Sequence, residues 1–271
     1  MSTSGVIVDL PVAAALPTAR TTSLLWLGLD AAALAALLTA TVAAHQPGLR
    51  RVDNELHGWV LSHRGGWDTS LARIVTWGGA TSLTLPLLAV VGAAARQHRS
   101  VRTRLGSGAL LAGAASVGVG VGLAVNSWIG RDRPPTAAWE GAAGGPSFPS
   151  GHTTAATVFA VSCGWAVAPR VRPGWPRVAL WSAAAGHAGL VGWSRVWLGV
   201  HWPSDVAGGW LVGFAFTAVA AAALTSRRPK PQVGRRLEPR AGEPAQGRRV
   251  TPVRLGPHRV SRCRASPGSV R

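Results

Sequence analysis

Six long apolar stretches separated by short polar ones dominate the chain. A helix needs about 20 mostly apolar residues to cross the hydrocarbon core of a bilayer. The first stretch runs from Leu24 to Ala44, the second from about Ile74 to Ala95 with Pro86 as a potential kink, and the third from Leu105 to about Val125. The fourth runs from about Thr153 to Ala168, the fifth from Val178 to about Leu198, and the sixth from about Ser204 to Thr225. The third is dense in Gly, Ala and Ser, which lets helices approach closely in a membrane. The pattern predicts an all-α fold, a polytopic membrane bundle of about six transmembrane helices. The first stretch, at 21 residues, exceeds the h-region of a cleaved signal, so it reads as a span. Between the first two spans, residues 57–73 (HGWVLSHRGGWDTSLAR) read as a surface helix.

Composition supports this picture. The 271 residues are 47% apolar and 14% charged, which excludes an ordinary soluble enzyme and a highly charged disordered chain. Lys and Arg total 28 against 10 Asp and Glu, a net charge of +18. Thirteen of the basic residues lie between Ser226 and Arg271, in a Pro-, Gly- and Arg-rich stretch without apolar periodicity. That stretch cannot bury enough surface to offset chain entropy and is expected to be disordered. It lacks interleaved aromatics, so anionic lipid head groups are its expected partner rather than nucleic acid.

Arginine placement sets the expected topology. Arg96, Arg99, Arg102 and Arg104 join the second and third spans, and Arg170, Arg172 and Arg177 join the fourth and fifth. With the basic tail they place both termini in the cytoplasm of a plasma-membrane protein. The expected organisation is an N-terminal cytoplasmic segment over 1–22, a membrane domain over 23–226 and a basic tail over 227–271. Thirteen Trp and no Tyr fit interfacial anchoring, with Trp26, Trp59, Trp67, Trp128, Trp139, Trp175 and Trp202 near span ends. Cys163 and Cys263 make neither a disulfide framework nor a cysteine zinc site.

Three polar segments fall on the face opposite the termini. They are NSWIGRDRPP (126–135), FPSGHTT (148–154) and SRVWLGVHWPSD (194–205). Arg133 and Arg195 offer guanidinium donors suited to phosphate oxygens. Ser150 and Gly151 precede a helix start, where free N–H groups favour an anion. His152 and His201 supply two imidazoles. Asp205, four residues after His201, can fix its tautomer. This is an inventory for phosphoryl transfer through a phosphohistidine: one histidine attacks, a second protonates the leaving oxygen, and arginines and amides stabilise the phosphoryl oxygens. No metal-ligand spacing appears, so neither a metal nor another cofactor is expected. Asp30, inside the first span, is a functional candidate by default, although its place near the cytoplasmic end also lets it reach water. His187, in the fifth span, reads as a packed polar residue.

The three segments resemble the signature of the phosphatidic acid phosphatase type 2 superfamily, which includes the vanadium haloperoxidases. Its pattern is Lys-x6-Arg-Pro, then Pro-Ser-Gly-His, then Ser-Arg-x5-His-x3-Asp. Arg133-Pro134, Pro149-Ser150-Gly151-His152, and Ser194-Arg195 with His201 and Asp205 match it in order and spacing. The resemblance implies a membrane phosphatase acting on a lipid phosphate or pyrophosphate at the extracytoplasmic face. Isoprenyl pyrophosphate, phosphatidic acid and phosphatidylglycerol phosphate lead as substrates. It makes His201 the nucleophile, Asp205 its orienting partner and His152 the general acid. Arg133, Arg195, Ser150 and Gly151 would hold the phosphate. Asn126 stands where the family has its first lysine. It would join the phosphate-binding set without bringing a charge. That departure motivates the alternative of a non-catalytic phospholipid-binding or transport protein built on the same pocket.

Overall fold

A computed structural model describes residues 19–96 and 99–226. The basic tail with His258 and Cys263, His98, and residues 1–18 lie outside them. The described residues form helices α1 (Ala19–Ala43), α2 (Pro47–His63), α3 (Gly66–Val75), α4 (Thr81–Ala94), α5 (Val101–Ile129), α6 (Gly151–Val167), α7 (Trp175–Trp197) and α8 (Pro203–Ser226). No strand occurs among them. All six apolar stretches are helical. Three contain spans long and apolar enough to cross a membrane: Thr22–Ala43, Val101–Ile129 and Pro203–Leu224. A fourth is a bent pair, Gly66–Gly79 with Thr81–Ala94, which turns by 52°. Two of the expected spans fall outside that set. α6 has only 17 residues, and α7 carries Arg177, His187 and Arg195.

The bend corrects two boundaries. The expected surface helix over 57–73 is two helices, with the chain extended at Arg64 and Gly65 between them. The expected second span does not run unbroken from Ile74, and its break is not at Pro86, which lies inside α4. The chain turns instead through a short 3₁₀ segment, Thr76–Gly79. Gly78 and Gly79 let this turn press against the bundle. A Cβ on Gly79 would stand 2.6 Å from the carbonyl oxygen of His152, and one on Gly78 would stand 2.9 Å from the ring of His187.

α6 lies at the centre of the bundle and packs against α4, α5, α7 and α8. Near its start, every residue from Thr153 to Val158 is buried. Small residues make this close contact possible. A Cβ on Gly209 of α8 would sit 2.8 Å from the Thr153 Cβ, and one on Gly213, a turn later, would sit 2.8 Å from the Thr157 Cβ. The Gly-x3-Gly face therefore holds the start of α6 against the start of α8. α1 packs along α8 on the other side, with Asp30 on its exposed face.

Candidate active site

α5 and α7 end, and α6 and α8 begin, at one end of the bundle, where three connecting segments are tied together. The backbone N–H of Ser150 donates to the Asp205 carbonyl at 3.0 Å, and that of Ser147 to the Arg131 carbonyl at 2.7 Å. Asn126 donates both amide hydrogens to loop carbonyls, Pro146 at 3.0 Å and Pro149 at 3.2 Å. It braces the loop that leads into α6. Trp139 and Trp202 do the same for the loop after α5, donating from their indoles to the carbonyls of Pro134 and Asp132. These two tryptophans are loop anchors. Trp26, Trp59, Trp67, Trp128 and Trp175 are exposed, as interfacial residues would be.

α8 begins at Pro203, whose fixed φ suits the first helical turn. Asp205 is fully buried and reaches back to accept the Trp202 N–H at 2.9 Å. The same oxygen, Oδ2, stands 3.3 Å from Nδ1 of His201. The other, Oδ1, accepts from Arg131 at 2.7 Å. Nε2 of His201 lies 2.9 Å from Nη1 of Arg133. A guanidinium only donates, so Nε2 carries the lone pair and the ring proton sits on Nδ1, facing Asp205. Burial pushes the His201 pKa down to about 4; the Asp205 hydrogen bond and charge oppose this, and Arg195 and Arg133 add to it. The ring is thus neutral at neutral pH, with its unprotonated nitrogen next to a cation.

Arg133 is held tightly. Nε donates to the Gly145 carbonyl, Nη1 to the Val200 carbonyl and to the ring Nε2 of His201, and Nη2 to the carbonyls of Gly144 and Pro146. All five guanidinium hydrogens are engaged. Arg195, in the last turn of α7, differs. It is 3% exposed and donates from Nη1 to the Thr76 hydroxyl at 2.7 Å, while its Nε is buried without a partner. Among the described residues it has no carboxylate partner. His152 occupies the first turn of α6 and lies within electrostatic reach of Arg195, His201 and Arg133. Ser150 caps α6, its hydroxyl accepting from the Thr153 N–H and hydroxyl. Gly151 is half-buried beside it.

All the sequence-predicted site residues therefore lie at this end, although Asn126 spends its amide on the loop. Asp30 is not among them. His187 is a packing residue there, hydrogen-bonded to the Gly78 carbonyl at 3.1 Å and set against Phe159. Three contributors escaped the pattern: Thr76, Ser204 and Asp53. Asp53 comes from α2, 78 residues before its partner Arg131, and its sequence neighbours give no sign of that pairing. A cavity of about 470 Å³ is lined by the 130–146 loop, including Arg131 and Arg133. A larger one, of about 600 Å³, lies at the far end of α7 around Arg177 and Trp181 and contains none of these residues.

Residues 106–229 match the PAP2 superfamily, a segment that holds every predicted site residue. That segment of the chain is a PAP2 superfamily segment. An undecaprenyl-diphosphatase of Sulfolobus acidocaldarius is 42% identical over 25% of this chain and 28% of its own length. A putative undecaprenyl-diphosphatase of Escherichia coli is 41% identical over 25% of this chain and 29% of its own. Phosphatidylglycerophosphatase B of Bacillus subtilis is 29% identical over 65% of this chain and 85% of its own length. The match thus spans less than a third of the first and second of these relatives but most of the third. The chain also shares its fold with the crystal structure of a transmembrane PAP2 type phosphatidylglycerolphosphate phosphatase from Bacillus subtilis. The TM-score is 0.65 at 23% identity, covering 75% of this chain and 98% of that one. This neighbour and the long apolar helices make the protein an integral membrane protein.

Proposed function

We propose that this protein is a lipid phosphate or pyrophosphate phosphatase working through a phosphohistidine on His201, with no metal. One observation carries the reading. Among the described residues, the buried guanidinium of Arg195 has no carboxylate beside it and its Nε has no partner. Burying an unpaired charge costs several kcal/mol, on the order expected for an ion left alone in a protein interior. An anionic phosphoryl group in front of His201 would offset that cost. Nε2 of His201 would then attack phosphorus, while Asp205 stabilises the ring as it gains positive charge. His152 would protonate the leaving oxygen and afterwards take a proton from the attacking water. Burial, then Arg195, His201 and Arg133, push its pKa down to about 4. The negative charge of a bound phosphoryl group would raise it again and let it carry that proton. Arg195 and the N–H groups at the start of α6 would neutralise the equatorial oxygens, and Arg133 would join them by moving its Nη1–H from His201 Nε2 to the phosphate, which also frees Nε2 to attack.

The wider reading follows the same lines. The chain has six spans, with both termini cytoplasmic and the site at the extracytoplasmic face of the plasma membrane. There a lipid tail stays in the bilayer while its head group enters. Isoprenyl pyrophosphates and phosphatidylglycerol phosphate are the favoured substrates, in keeping with the relatives' names, and phosphatidic acid is third.

The test is phosphate release by the detergent-solubilised protein from these three lipids, with and without a chelator. Turnover of at least one is expected to survive chelation. The acid limb of kcat/KM is expected near pH 4, well below the ordinary imidazole range, because the His201 ring must be neutral to attack and burial holds its pKa down to about 4. Activity abolished by chelator and restored by a divalent ion would rule out the metal-free route. Binding of all three lipids with no release between pH 5 and 8 would favour the non-catalytic alternative.

A further inference from the structure

Beside the signature residues lies a second carboxylate that they do not include. Asp53 sits on α2, outside the matched segment, yet it is 1% exposed. Its Oδ2 accepts from Nη2 of Arg131 at 2.7 Å and from the Ser204 hydroxyl at 2.6 Å. Its Oδ1 accepts the backbone N–H of Ser204 at 2.9 Å. That N–H is in the first turn of α8 and has no partner within its own helix, so Asp53 caps α8 from outside. Nη1 of Arg131 meanwhile bonds the Ser204 hydroxyl at 2.6 Å and Asp205 at 2.7 Å. The Arg131 guanidinium lies over the Trp202 ring, 5.7 Å from its centroid. An edge of His57, one turn after Asp53, meets the same ring at 5.2 Å.

We infer that Asp53 is a positioning residue for the reaction: by fixing Arg131 and the first turn of α8, it sets the carboxylate of Asp205 and through it the orientation of His201. Asp53 touches neither His201 nor the arginines placed at the phosphate. Its bonds run only to groups that hold Asp205. A buried network of two carboxylates and one guanidinium adds little net stability, since desolvation consumes most of the attraction. What it supplies is geometry. The Asp205 carboxylate has Arg131 on one oxygen and the Trp202 N–H and His201 on the other, so it cannot rotate without breaking a bond to a buried donor. Asp53 keeps Arg131 in that place.

The inference rests on the phosphatase reading. The experiment is steady-state phosphate release by the full chain from the fastest of the three lipids above, for wild type, Asp53→Asn, Asp205→Asn and the double variant. Asp53→Asn is expected to lower kcat by ~10- to 100-fold, the usual loss when a partner that orients a reacting group is removed. KM should stay within about 3-fold, since no phosphate contact is lost. In the Asp205→Asn background the same change should cost less than about 2-fold, because residues acting as one unit are not additive. Wild-type kcat in folded Asp53→Asn overturns the inference, and so does a loss that multiplies fully onto Asp205→Asn. If Asp53→Asn does not yield folded protein, Ser204→Ala carries the same test; it removes the hydroxyl between Asp53 and Arg131 without changing charge. It should give a smaller kcat loss, of ~3- to 10-fold, with the same non-additivity. A wild type inactive on all three lipids would overturn the phosphatase reading and the inference with it. An active wild type with an unaffected Asp53→Asn overturns the inference alone.

Discussion

His201→Ala is expected to lower phosphate release by at least ~10⁴-fold, the scale seen when a nucleophile that acts with its partners is removed. The protein should still fold and insert. His201 lies in the turn between α7 and α8, not in a helix, and its ring makes two hydrogen bonds, to Arg133 and to Asp205. Arg133 retains four backbone carbonyl bonds, and Asp205 retains Arg131 and the Trp202 N–H. Helix content by circular dichroism and membrane partitioning should therefore match wild type. Turnover within 10-fold of wild type in that variant would remove His201 from the nucleophile's place.

Arg195→Met is expected to separate catalysis from stability. In the proposed mechanism the guanidinium neutralises developing charge on the phosphoryl oxygens, so kcat/KM should fall by about 10²–10³-fold, as when one preorganised donor is removed. Thermal stability should hold or rise. Methionine fills similar volume, and the buried charge it replaces has an unsatisfied Nε and no carboxylate among the described residues. The bond lost is the one to the Thr76 hydroxyl. Lysine at 195 should not restore the rate, since an ammonium cannot reproduce the guanidinium fork. A large drop in melting temperature with little loss of activity would show that Arg195 serves the helix bundle and not the anion.

Much of the fold was legible because membrane helices announce themselves by length. Five of the six apolar stretches fold as a single helix, and the second is broken by a 3₁₀ turn. The breaks were less legible. Pro86 drew attention as a breaker, but it sits in α4 while the chain bends at Thr76–Gly79. The cause is tertiary: only two glycines allow the backbone to approach His152 and His187 so closely. The site was legible where spacing encodes it. His201 and Asp205 are one helical turn apart, and Ser150 begins α6 as its cap. Arg131, beside the signature's arginine, pairs with Asp53 and Asp205. That pairing joins α2 to a loop 78 residues away, a distance no local pattern reports. Asn126 looked like a phosphate ligand until its amide was found on the carbonyls of Pro146 and Pro149.

The most direct test of the phosphohistidine route is the stereochemistry at phosphorus. Hydrolysis of a lipid phosphate made chiral with oxygen isotopes and sulfur yields a chiral product whose handedness can be read. Two successive in-line displacements, the first by Nε2 of His201 and the second by water, predict net retention. Net inversion would mean that water attacks the lipid phosphate directly, and His201 would not be the nucleophile.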